Sequence, residues 1–489
     1  MRTAEEYISD LKRMKKNIYI GGERVGRDDP RLKPGINVMS ITFDLAQDPK
    51  YEELMTAKSH LTGEKINRFT HIPQNPYDLL QKQKMIRLCA QRAGGCIQRC
   101  MGLDAIIALS IATKEIDEKY GTEYYERFLN YLKYFQERDL TAACAQTDVK
   151  GDRCKRPHEQ EDPDLYVHVV EERDDGIIVR GSKCSITMAA YADEIIVVPT
   201  RAMREEDKDY AVAFAIPADH ENVHLITRPV WIRERKKFKA PFAEMGVSDS
   251  FVIFDDAFIP KERVFMCKEW DFARRLALLF ANSHRHSYTG CKPAVSDILA
   301  GASALAAEYN GIERAPHVRD KISEIIGTAE LAYAAGVASA VFGQKTITGT
   351  FFPNPIYANV GRRLMGESIY HEFNILTEIA GGLMVTLPFE EDFIKEETKK
   401  YLDKYIKRNP KISPEDMHRC FRFLENLGAS SMANWYQIAG VHGGGSPIME
   451  TITLMAEYDL ESRKELAKYL AGIKKELDQS KLLKEKPQI

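Results

Sequence analysis

Every strand-like segment of this 489-residue chain falls in one block, and that clustering limits the fold more than any other feature. The block runs from near Leu140 to Trp270. In it, DLYVHVVEERDDGIIVRGSK alternates in polarity on either side of Asp174-Asp175-Gly176, a hairpin signature. ADEIIVVPT, DYAVAFAIPAD and FVIFDDAFIP then read as buried strands. Outside the block the period changes. Residues from about 75 to 136, and from Phe272 to about Lys475, repeat their apolar positions at three and four, with one Pro-rich break at Phe352-Pro353-Asn354-Pro355. Strands gathered between helical blocks argue against a parallel α/β sheet. Neither GxGxxG after a strand nor GxxxxGK[ST] occurs, so Rossmann and P-loop sites are absent. The expected fold is α+β, with a helical domain over 1–138, a β domain over 139–273 and a second helical domain over 274–489.

Composition narrows the partners. The chain is 44% hydrophobic and 29% charged, with a net charge of -3, which gives no reason to expect nucleic acid or an anionic membrane. No apolar run approaches the ~20 residues that span a bilayer, and the N-terminal stretch lacks the order of a signal peptide. A cytoplasmic protein is expected. Its nine cysteines, at 89, 96, 100, 144, 154, 184, 267, 291 and 420, should then remain thiols.

Two cysteine pairs stand out. GGCIQRCMG places Cys96 and Cys100 four apart, which on a helix is one face and about 6 Å of rise. FANSHRHSYTGCKPAV places His284 and Cys291 seven apart, roughly 10 Å on an ideal helix. A shared centre would require that helix to bend near Thr289-Gly290. Three thiolates and an imidazole suit a structural zinc ion or an iron–sulfur cluster. Spacing alone favours plain packing, because buried cysteine is common. His286 is expected to face away.

The helix–β–helix order is that of the acyl-CoA dehydrogenase fold, whose middle domain is β-barrel-like. Gln146, Thr147, Asp148, Lys150, Asp152 and Arg153, from QTDVKGDR, resemble the loop such proteins place beside the flavin. Lys183-Cys184-Ser185-Ile186-Thr187 resembles their second flavin segment. Hydroxyls and turn amides of this kind supply donors to an isoalloxazine edge without adding charge.

Over essentially its whole length the chain resembles the 4-hydroxybutyryl-CoA dehydratase family, on CIQRCMGLDA, TDVKGDR, FIPKERVF, HRHSYTGCK, AGGLMVTLP, FRFLENLGAS and HGGGSP. That family is related to flavin monooxygenases that hydroxylate 4-hydroxyphenylacetate. The resemblance implies FAD and a [4Fe–4S] cluster on Cys96, Cys100, Cys291 and His284, ligands the monooxygenases lack. It implies radical dehydration of a 4-hydroxyacyl-CoA, with vinylacetyl-CoA isomerisation as a second activity. In that route a base removes the α-proton, FAD takes and returns one electron, and the histidine-bound iron acts on the departing hydroxide. By position His284 is both ligand and base. Tyr288, Lys292 and Gln98 line the pocket, Thr187 lies near flavin N5, and Gln437, His442 and Gly443 contact the cofactor. Asp249 stands where the family has glutamate. A homotetramer is implied too, and ELAKYLAGIKKELDQSKLLKEK near the C-terminus is amphipathic enough either to pack on a partner or to lie solvated.

One departure bears on the substrate. Three residues before HGGGSP the dehydratases carry glutamate, and here Ala439 stands instead. Loss of a carboxylate there removes an acid/base or hydroxyl-binding group and leads us to expect a different hydroxyacyl-CoA or altered chemistry.

Overall fold

The strand block builds two open sheets in a computed structural model that describes residues 1–230 and 235–482. The first has six strands, in the order Glu23–Val25, Ile18–Ile20, Val223–Val230, Val247–Pro260, Gly176–Thr187, His168–Arg173. The second has four, in the order Val264–Cys267, Val212–Pro217, Glu194–Val197, Ala142–Ala145. Pairing is antiparallel except where Ile18–Ile20 meets Val223–Val230 and Ala142–Ala145 meets Glu194–Val197. The expected hairpin is present, with Arg173 opposite Gly176.

The expected barrel-like closure is not found. One edge of the larger sheet is the three-residue strand Glu23–Val25, too short to carry a further ladder. The other edge, His168–Arg173, is exposed from Val170 onward and carries Glu171, Glu172 and Arg173. Charged edges of this kind resist further pairing. Residues 18–25 also tie the N-terminal region into the central sheet.

The long Ala273–Asn310 helix is the axis of the helical part. It packs against Pro76–Ala93, Cys100–Tyr120, Pro316–Val341 and Pro355–Ala380. The Pro-rich break is the start of the last of these, where Asn354 Oδ1 accepts the Ile356 N–H at 3.0 Å. The helix continues unbroken through Gly290, where a bend was expected. Gly290 is required for close packing: a Cβ there would lie 2.6 Å from the Gln83 carbonyl oxygen. Pro293, inside the same helix, has no N–H for the carbonyl of Thr289. Gln83 Nε2 donates to that carbonyl at 3.1 Å and so satisfies it from the neighbouring helix.

Cys96 and Cys100 do not share a helix. The first helix ends at Ala93, capped by left-handed Gly94 (φ 75°), and the next begins at Cys100. Gly95 (φ 152°) and Gln98 (φ 65°) also take conformations that end a helix. Cys96 therefore lies in a loop, and Cys100 opens the following helix. At the other end of the chain the Leu460–Leu470 helix stops before left-handed Gly472 (φ 72°). The rest of the amphipathic segment is not one helix, and its residues from 483 onward lie outside the described residues. Among the described residues no helix is long and apolar enough to cross a membrane.

Candidate active site

The loop carrying Cys96 is held on three sides. Tyr436 accepts the Cys96 N–H through its hydroxyl oxygen. Gln98 donates from Nε2 to the Gly246 carbonyl at 3.2 Å and accepts the Tyr191 hydroxyl at Oε1. Arg99 donates to Asp139 Oδ1 at 2.5 Å and to Thr42 Oγ1 at 3.0 Å, with its guanidinium 4.2 Å from the Phe43 ring centroid. Gln98 is fully buried, and both ends of its amide hold protein groups. It shapes the loop.

His284 comes from the Ala273–Asn310 helix and faces the start of the Cys100–Tyr120 helix. Its Nδ1 lies 2.8 Å from Asp104 Oδ2. Lys82 donates to Asp104 Oδ1 at 2.6 Å, and Ser283 and Ser287 add hydroxyl donors at 2.9 and 3.0 Å. Burial alone would raise the Asp104 carboxyl, but Lys82 and His284 hold it down at about 2. Ligand atoms of Cys100, Asp104 and His284 all lie within 4.8 Å of one another.

The other two thiols belong to the same neighbourhood. Burial drives the Cys100 thiol well above its usual range, and the negative charges of Asp104, Cys96 and Cys291 push it further. Cys291 is pushed up to about 12 by burial, against the pull of Lys292. Lys292 is 2% exposed and has no hydrogen bond or carboxylate ion pair among the described residues. Burial would lower its pKa, yet Tyr288, Cys291 and Cys96 raise it. Its ammonium lies 5.0 Å from the Tyr288 ring centroid, and Arg362 lies 4.4 Å from the same ring. An unpaired buried cation is costly. Thiolates at Cys96 and Cys291 would neutralise it, and packed neutral thiols would not. This favours ligation over packing for these cysteines.

The HGGGSP loop closes over this cluster. A Cβ at Gly443 would lie 3.1 Å from the Tyr288 ring, and one at Gly444 3.3 Å from the His284 imidazole. Arg362 donates to the carbonyls of Gly443, Val441 and Gly445, and Arg285 donates to that of Gly444. Tyr288 points its hydroxyl at the carbonyls of Ala439 and Gly440. Gln437 is half-buried and His442 exposed on this side.

The two flavin-like segments lie together. Asp148 bridges to Lys183, whose Nζ donates to Asp148 Oδ1 at 2.6 Å and to the Gln146 carbonyl at 3.0 Å. The Thr147 carbonyl accepts the Cys184 N–H, the Lys150 carbonyl accepts the Tyr166 hydroxyl, and Asp152 Oδ1 accepts the Cys154 N–H. Arg153 is exposed. Thr187 ends the strand and donates to Asp249 Oδ1 at 2.5 Å, while Trp435 Nε1 donates to Asp249 Oδ2 at 2.6 Å. Asp249 thus ties the β domain to the helix that leads into the glycine loop. His286 is fully buried, and burial, with Lys82 adding to it, lowers it to about 3.

Four groups in this arrangement were not singled out from sequence: Asp104, Lys82, Arg362 and Glu450, whose buried carboxylate lies 3.9 Å from Arg362 Nε. Asp104 was within reach of pattern reasoning, since it follows Cys100 by four residues on one helix face. The other three come from distant helices and leave no local signal.

Buried thiols and an imidazole lie beside the β domain, and comparison with known proteins gives the chain a class. Two family models cover nearly the whole chain: the 4-hydroxyphenylacetate 3-hydroxylase N-terminal model over residues 3–266 and its C-terminal counterpart over 273–472. The oxygenase component of 4-hydroxyphenylacetate 3-monooxygenase from Thermus thermophilus is 28% identical, covering 95% of this chain and 96% of its own. A structure of such a component, complexed with FAD and 4-hydroxyphenylacetate, superposes with a TM-score of 0.88 at 26% identity, covering 97% of this chain and 99% of its own. The 4-hydroxybutyryl-CoA dehydratase/vinylacetyl-CoA-Δ-isomerase of Clostridium aminobutyricum is more similar, 41% identical over 97% of this chain and 100% of its own. The structure of an oxygen-tolerant archaeal 4-hydroxybutyryl-CoA dehydratase from N. maritimus matches with a TM-score of 0.93 and 38% identity, covering 98% and 96%. The chain belongs to the 4-hydroxybutyryl-CoA dehydratase branch of this family.

Proposed function

We propose that the protein dehydrates a 4-hydroxyacyl-CoA of the 4-hydroxybutyryl type and isomerises the corresponding vinylacetyl-CoA. The observation that supports this is a buried neighbourhood in which Cys100 lies beside His284, Cys96 and Cys291 act on Cys100, and Lys292, with no carboxylate partner among the described residues, lies beside Cys96 and Cys291. The donor set suits a [4Fe–4S] cluster, for which thiolates are the expected ligands. FAD would lie against residues 146–153 and 183–187, with Gln437, His442 and Gly443 as further contacts, in an acyl-CoA dehydrogenase-like arrangement. A homotetramer is part of this reading. Free thiols at all nine cysteines agree with a reducing, cytoplasmic setting. The alternative, hydroxylation of a phenol by reduced flavin, gives the four ligands no task, and the relatives of that activity are less similar.

Bound here, the cluster supplies a Lewis-acidic iron for the departing hydroxyl and the flavin supplies one-electron chemistry. The chain's own groups do the rest. His284 offers Nε2 to the α-proton of the thioester. Lys292 and Arg362 set a positive field on the Tyr288 side of the pocket. Burial of Cys100, Cys291 and Tyr288 excludes water, which strengthens every charge in the site. Ala439 presents only its carbonyl, to Tyr288, so no carboxylate stands at that position to bind a hydroxyl. A 4-hydroxyacyl-CoA with a different chain is therefore the proposed substrate class alongside the four-carbon one.

The test is an anaerobic assay of 4- and 5-hydroxyacyl-CoA thioesters with Cys100→Ala as control. Enoyl-CoA formation by the parent protein, lost in the variant while FAD stays bound, is expected. Hydroxylation of a phenol without enoyl-CoA formation would refute the proposal.

A further inference from the structure

Asp104 is enclosed by donors from two neighbouring helices. Lys82 reaches it from Pro76–Ala93, and Ser283, Ser287 and His284 reach it from Ala273–Asn310. Asp104 is 0% and Lys82 2% exposed, so the pair is closed to solvent. Three donors converge on Oδ1 and leave Oδ2 to the imidazole. A carboxylate facing an ammonium accepts hydrogen bonds, so the proton between Oδ2 and Nδ1 belongs to the histidine. The ring is also fixed in its plane. Phe280 stacks on it at 5.7 Å and 9° between planes, and Tyr288 meets it edge-on at 6.2 Å.

Asp104 is close enough to Cys100 and His284 to suggest a metal ligand itself. Its bonding argues otherwise. Turning Oδ1 to a metal would abandon Lys82 and both serines inside the core, where an unpaired ammonium is costly, and Oδ2 is taken by the imidazole. A carboxylate that orients a ligating histidine is a common outer support of metal sites.

We propose that Asp104, clamped by Lys82, is the positioning residue that fixes His284 as the Nδ1–H tautomer and leaves Nε2 as its single available lone pair. The tautomer stands on the hydrogen bonds alone; what meets Nε2 rests on the proposed function. One consequence is chemical. Iron ligation and removal of the substrate α-proton both use that lone pair, so His284 does one or the other at any moment. If His284 takes the α-proton, Nε2 would receive it and the electron pair of the broken C–H bond would stay on the acyl group.

Two measurements on the full chain test this. The first is 15N spectroscopy of histidine-labelled, cluster-free protein, with His284→Ala to assign the signal. The Nδ1–H tautomer is expected for His284 in the parent protein, with loss of that pattern in Asp104→Leu. The Nε2–H tautomer in the parent protein would overturn the proposal. The second follows release of iron to a chelator from anaerobically prepared protein. Asp104→Asn, or Lys82→Met/Asp104→Asn where the single variant does not fold, should lose one iron of the cluster about 10–100-fold faster than the parent and leave a three-iron signature, with FAD retained. Release at the parent rate would overturn the positioning role. If the parent protein shows the Nδ1–H tautomer but binds no iron, the proposed function fails and the tautomer assignment stands.

Discussion

Gly95 lies against the ring of Tyr436, so close that a Cβ there would fall 2.4 Å from the ring carbons. Its φ of 152° is a conformation that L side chains rarely adopt. The adjacent Cys96 N–H donates to the same tyrosine's hydroxyl oxygen. Together these two residues set where the Cys96 thiol points.

Gly95→Ala should therefore displace Cys96 without touching the flavin segments. We expect a stability loss of roughly 1–3 kcal/mol from clash and strain, together with a marked fall in bound iron. Denaturant unfolding and metal analysis check both, and FAD content should stay at the parent level.

Lys292→Met should act in opposite directions on the two forms of the protein. Without the cluster, removing an unpaired buried ammonium relieves a desolvation cost and raises Tm. With the thiolates ligating, the same change removes their counter-charge and lowers iron occupancy. Thermal unfolding of cluster-free protein, beside iron content after anaerobic loading, reads the two signs.

Arg362, Arg285 and Glu450 form a buried charge group beneath the glycine loop. Glu450 Oε1 lies 3.9 Å from Arg362 Nε and 3.7 Å from Arg285 Nε, with all three side chains at most 1% exposed. Burial raises the Glu450 carboxyl against the pull of both guanidiniums. Arg362→Met should cost about 3–5 kcal/mol, since a buried carboxylate loses a partner and three carbonyls lose their donor. Adding Glu450→Gln should recover part of that loss, and a double-mutant cycle measures the coupling.

Glu372 supplies a pH prediction. It is buried on the Pro355–Ala380 helix, accepts Ser296 Oγ at 2.6 Å, and burial raises its carboxyl to about 7. The folded state binds this proton more tightly than the unfolded chain. Its contribution is thus full below about pH 4.5 and is lost as pH rises through about 7. Glu372→Gln should match the parent in acid and exceed it above pH 7 by up to roughly 3 kcal/mol. Chemical denaturation across pH 4–8 checks the crossover.

The order of helical and strand blocks was legible because burial imposes different periods on the two. The Asp174–Asp175 hairpin and the break at residues 352–355 were legible because their turn chemistry is local. The loop at Cys96 was not. A single glycine pair reads as a tolerable helix interior, and only Tyr436 and Gly246, from distant segments, make the break necessary. The same holds at Pro293, where the carbonyl it leaves unpaired is satisfied by Gln83 about two hundred residues away. The residue types of the proposed metal centre could be read from sequence and family resemblance. Its support could not, because Lys82, Arg362 and Glu450 matter only through packing.

The most direct test is elemental and flavin analysis of protein purified without oxygen. About four iron and four acid-labile sulfide with one FAD per chain is the expected result. FAD with no iron, or one zinc in place of iron and sulfide, would contradict the account.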